Sequence, residues 1–198
     1  MKHSTIFIFL FFVSCISINI GTNDYSFLKE SDIKRIKNFE PSVFNLDFKN
    51  DSLVSIYEID HSIIQENVLK NNKYTWIHFW RPYCSKEACV NINIYSNAAK
   101  KHDNLKLLLT SQTYDFPQIQ GTFELTNYPL PIFVVKNSSY GEKVREAKRQ
   151  ITSKLISKEV LADEELFADD ILFYGNKVIY VGNSLDYQLD SIISLTGK

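Results

Sequence analysis

Residues 74–89, YTWIHFWRPYCSKEAC, constrain this chain more than any other stretch. An apolar run rich in aromatic and β-branched residues breaks at Pro82 and meets Cys84 just before a segment that reads as a helix. The pattern is a strand that delivers a thiol to a helix N-terminus. There the unpaired backbone N–H groups and the positive end of the helix dipole favour the thiolate. Arg81 and Lys86 push the same way, and Glu87 opposes them.

The flanking elements follow from periodicity. Residues 43–48 and 53–59 read as two short strands around a polar turn, and Asp60 or Ser62 can cap a helix with Ile63, Ile64, Val68 and Leu69 on one face. A helix over about 85–101 follows the thiol, and residues 105–110 (LKLLLT) fit a buried parallel strand. Pro131 opens a strand over 132–135, which makes Leu130-Pro131 a candidate cis peptide. Residues 138–170 are charged with apolar residues at near-helical spacing, read as one or two surface helices. Residues 171–174 and 177–181, joined at Gly175-Asn176, form a hairpin signal, and Ser184 caps a last helix. Strand, helix, strand, helix, strand, hairpin, helix is the order of an α/β sandwich with a partly parallel sheet.

Composition bounds the function. In 198 residues, 22 basic side chains face 23 acidic ones for a net charge of −1, so no electrostatic case for nucleic acid arises. His3, His61 and His102 are scattered and make no metal constellation with the cysteines, no cofactor motif is present, and no glycine-rich phosphate loop occurs. At the N-terminus a short basic region precedes the apolar residues 5–13, too short to cross a bilayer, which reads as an export signal. It ends in Phe12-Val13-Ser14-Cys15, similar to the lipobox of bacterial lipoproteins. That resemblance implies lipidation of Cys15 and a membrane anchor on the bacterial cell envelope, facing the periplasm or exterior; the alternative is cleavage further on, with Cys15 discarded. Domains then read as export signal 1–15, tether 16–42 and one domain over 43–198 with a helical insertion at about 138–170. With Cys15 used for lipid, Cys84 and Cys89 are the remaining pair, in a compartment where disulfides persist.

The chain resembles the thioredoxin-like fold family, and most of all its envelope-anchored thiol–disulfide reductases. His78 to Cys84 sits where that family has strand, Trp and nucleophilic Cys; Leu130-Pro131-Ile132 where it has its cis-proline; and the hairpin with its following helix where it closes. The resemblance implies a three-layer α/β/α sandwich with a central mixed sheet and a thiol–disulfide oxidoreductase acting on protein thiols and disulfides. Cys84 is the nucleophile, Cys89 the candidate resolving thiol, and His78 the proton shuttle. Trp80, Pro82, Tyr83, Leu130 and Pro131 border the substrate. The second cysteine departs from the Cys-x-x-Cys pattern. Five residues of helix separate Cα atoms by roughly 8–9 Å, where a disulfide needs about 4.4–6.8 Å, so the first helical turn must loosen for the pair to meet. Cys84-Ser-Lys-Glu-Ala-Cys89 also resembles the cysteines of bacterioferritin-comigratory-type peroxiredoxins, which implies a thiol peroxidase as an alternative, although Ile77 and Arg81 stand where those enzymes shape the peroxide pocket. A non-catalytic thioredoxin-fold binding lipoprotein is the third reading. Cys89 and His78 also have plain structural readings, as a cysteine filling core volume and a packed histidine.

Overall fold

A computed structural model describes residues 21–46, 48, 53–82, 91–156 and 167–196. In chain order the elements are a 3₁₀ turn (Tyr25–Phe27), α1 (Glu30–Ile33), β1 (Ile36–Asn38), a 3₁₀ turn (Pro41–Asn45), β2 (Ile56–Ile59) and α2 (His61–Ile63), which runs on into a π turn (Ile64–Val68) and a 3₁₀ turn (Leu69–Asn71). Then come β3 (Tyr74–Trp80), α3 (Asn93–Lys100), β4 (Leu105–Ser111), α4 (Phe116–Thr126), β5 (Ile132–Val135), α5 (Asn137–Tyr140) and α6 (Val144–Leu155). The hairpin β6 (Asp170–Tyr174) and β7 (Lys177–Gly182), a 3₁₀ turn (Leu185–Tyr187) and α7 (Leu189–Thr196) close the chain.

The seven strands form one mixed sheet in the order β1-β2-β5-β4-β3-β6-β7. All seven residues of β3 are buried, Thr75 and His78 included, as a central strand covered on both faces requires. It pairs parallel with β4 over its whole length and antiparallel with β6, so it stands where the parallel half of the sheet meets the hairpin. Side chains along a strand alternate between faces. Trp76, Leu107 and Leu172 pack with Ala98 and Ala99 of α3 and with Leu185 and Leu189. Ile77, Phe79 and Leu108 pack with Ala147, Ile151 and Leu155 of α6. The architecture is an α/β sandwich with a central sheet flanked by helices.

Several local expectations meet the structure differently. The strand expected over 43–48 is a 3₁₀ turn at Pro41–Asn45, because Pro41 offers no N–H to a ladder and suits the first turn of a helix. Within the stretch read as a tether, β1 pairs parallel with β2 at the sheet edge, Ile36 opposite Ile56. The charged segment read as surface helices yields α6, whose Ala147, Ile151 and Leu155 lie four residues apart and bury one face. The peptide between Leu130 and Pro131 is trans, and no cis peptide occurs among the described residues. Asp60 caps α2, accepting from the Ile63 N–H at 2.9 Å, and Asp115 caps α4, accepting from Gln118 N at 3.1 Å.

Candidate functional site

The carboxyl ends of β3 and β4 open onto a cavity of about 750 Å³. In open α/β sheets ligands bind at this end of the parallel strands. Arg81 and Pro82 leave β3 and Gln112 leaves β4, held in step by a Gln112 N–H donated to the Trp80 carbonyl at 2.9 Å. Val144, Arg145 and Lys148 of α6 form one wall, with Phe167, while Asp24 and Asp115 lie on another. Residues 21–24 bridge the two. Gly21 O accepts from Val144 N at 2.7 Å, Asn23 N donates to Glu142 O at 2.7 Å, and Asn23 O accepts from Tyr114 N at 2.7 Å. The first described residues are therefore part of the cavity, tied to α6 on one side and to the exit of β4 on the other.

Lys148 is the most constrained polar group there. It is only 4% exposed, because it neighbours Ala147 on the buried face of α6. Its ammonium donates to the Phe167 carbonyl at 2.8 Å and to Asp169 Oδ1 at 2.6 Å, above the Phe79 ring at 5.0 Å. Burial pushes the Lys148 amine below its ordinary range, against the pull of Asp169, and the positive charge of Arg81 adds to the push. Arg145 lies with its guanidinium 4.3 Å over the Phe167 ring. Of the acids, Asp24 accepts from Thr113 Oγ1 at 2.6 Å.

A second cluster lies on the opposite face of the sheet. His78 faces Asp170 across the β3–β6 register, and its Nδ1 and Asp170 Oδ1 are 2.6 Å apart. The same carboxylate accepts from Trp76 Nε1 at 2.8 Å and, through Oδ2, from Leu185 N at 3.1 Å. Asp170 is buried, which by itself raises its pKa; the His78 hydrogen bond and charge, then Trp76 and Leu185, outweigh that and hold it below the usual carboxylate range. The Tyr95 ring of α3 stacks on His78 with centroids 3.9 Å apart, and burial together with the Asp170 charge pushes its phenol up. Asp169 and Asp170 thus point to opposite faces, one to Lys148 beside the cavity and one to His78.

The residues expected from the sequence are only partly brought together. Pro82 lines the cavity and Trp80 is buried in the core at the end of β3. Leu130 and Pro131 precede β5, which pairs with β4 and not with β3, so they stand two strands from β3, at about 5 Å per strand. Tyr83, Cys84, Cys89 and Cys15 lie outside the described residues.

The expected thiol–disulfide oxidoreductase is corrected on these grounds. Its chemistry needs paired sulfurs, and among the described residues there is neither a cysteine pair at disulfide distance nor a group of three His, Cys, Asp or Glu side chains able to hold a metal. His78, expected to shuttle a proton to the second sulfur, is instead bonded through Nδ1 to a buried carboxylate and stacked on Tyr95. The redox enzyme, the thiol peroxidase on the same Cys84 and Cys89, and the protein thiol or disulfide partners are therefore withdrawn as readings, since nothing among the described residues carries them. Among the described residues no helix is long and apolar enough to cross a membrane, so the membrane-anchored description gains nothing from them.

Sequence reasoning missed Asp170, Lys148 and Arg145. Asp170 opens β6 directly after Asp169, where two acids before a hairpin read as a loop; only the cross-strand register joins it to His78. Lys148 and Arg145 sit in a charge-rich helix whose cavity-facing side is set by what α6 packs on. The chain matches no protein-family model, and no curated protein matches it.

Proposed function

We propose that the chain is a non-redox small-molecule-binding protein whose ligand occupies the cavity at the carboxyl ends of β3 and β4. The observation that carries this is the cavity itself. Its volume, about 750 Å³, falls within the roughly 300–1,000 Å³ of ligand sites. Its lining combines apolar Pro82, Val144 and Phe167 with a few convergent charged groups. The thioredoxin-like form of the sandwich belongs to the same proposal. It is supported by β3 lying between parallel β4 and the antiparallel hairpin, with α7 after it; Pro131 gives it no support, since it opens β5.

The test uses a neutral fluorescent probe, N-phenyl-1-naphthylamine, titrated into the protein. Wild type is expected to raise its emission saturably. Val144→Trp, which fills the cavity from α6, is expected to abolish the rise while unfolding at the wild-type temperature. No saturable rise in wild type, or an equal rise in the variant, overturns the reading.

A further inference from the structure

By count, the charges around the cavity cancel: Arg81, Arg145 and Lys148 against Asp24, Asp115 and the nearby Asp169. Hydrogen-bond accounting separates them. Each acid is engaged in local structure. Asp24 accepts from Thr113, Asp115 accepts from Gln118 N at the start of α4, and Asp169 accepts from Lys148. The bases keep donors in hand. An ammonium has three N–H donors; Lys148 gives one to Phe167 O and one to Asp169, and the third has no acceptor among the described residues. Arg145 is held over Phe167 by its face, which leaves the in-plane fork of N–H donors without an acceptor among the described residues. Arg145 and Lys148 are three residues apart on α6, so they lie on one side of that helix, and the Arg81 charge is felt at Lys148.

We propose that the ligand of this cavity is a small organic anion, an apolar body carrying an acidic head group that docks on Arg81, Arg145 and Lys148. This rests on the binding reading above and names the chemistry of its ligand. A buried donor left without an acceptor costs more than the bond it would make returns, so the lysine N–H selects for an acceptor delivered from the cavity. The carboxylate shape matches the Arg145 fork, whose N–H groups donate two parallel bonds to its oxygens. Pro82, Val144 and Phe167 cover the remainder of the ligand.

The experiment displaces bound N-phenyl-1-naphthylamine with octanoate or octanol, which share a chain and differ in the head group. Octanoate is expected to displace the probe at about tenfold lower concentration than octanol, or lower still. Arg81→Gln and Arg145→Gln, both at exposed positions, are expected to shrink that ratio, and Lys148→Met to shrink it furthest. Should Lys148→Met fail to fold, the two arginine variants decide alone. If the probe binds wild type but octanol displaces it as well as octanoate does, or neither displaces it, or the ratio is unmoved in the arginine variants, the anion inference is overturned and the binding reading stands. If the probe does not bind at all, both are overturned.

Discussion

At the scale of single residues, Asp170 determines most. One buried carboxylate accepts from an imidazole, an indole and a backbone N–H, and so joins β3, β6 and the turn before α7. Replacing Asp170 with Asn removes the charge while keeping the shape. Hydrogen bonds to charged groups contribute about 1.5–3 kcal/mol, and a loss of that order is expected in urea unfolding at neutral pH. The folded pKa of Asp170 lies below its unfolded value. Its contribution is therefore complete above about pH 4, the unfolded carboxylate pKa, and disappears as pH falls through the lower folded value. Wild type is expected to lose more stability than Asp170→Asn between pH 6 and pH 3, as read from urea midpoints. A parallel loss in both proteins would remove Asp170 from that account.

At the scale of elements, the hairpin β6–β7 and helix α6 show two different dependences on sequence. Gly175 turns the hairpin with φ +54°, a left-handed conformation, and a Cβ built there meets nothing within 4 Å. The cost of Gly175→Ala is thus conformational alone, about 1–2 kcal/mol, and thermal unfolding measures it. The hairpin was legible because glycine at such a turn answers a local requirement of the backbone. The long parallel strand β4 was legible for a similar reason: a run interrupted only by Lys106 before Thr110 and Ser111 has almost no exposed face to offer. Helix α6 was legible as a helix, but not as a cavity wall. A lysine beside a buried alanine reads as a solvated charge until the sheet and Asp169 close over it.

At the scale of the whole molecule, the N-terminal region is joined to the site. Strand β1 extends the sheet beside β2, and residues 21–24 tie α6 to the exit of β4 through backbone hydrogen bonds. A chain beginning at residue 39 is expected to lose probe binding and to unfold at a temperature lower by about 5 °C or more. Differential scanning calorimetry and the fluorescence titration read the two effects separately. Retained binding in that truncated chain would show that residues 21–24 are not needed for the cavity.

The residues alone determined what depends on local chemistry and on period: an α/β order of elements, a central buried strand at 74–80, a closing hairpin and a terminal helix. They also marked His78 and Pro82 near the end of that strand. Tertiary structure decided strand order, and with it function-bearing proximity. Pro131 opens a strand two places from β3, so a sequence match to a cis-proline could not carry its meaning into space. His78 meets Asp170 across 92 residues of chain. Such contacts arise from sheet register and helix packing, which are properties of the assembled layers and leave no periodic trace in either partner.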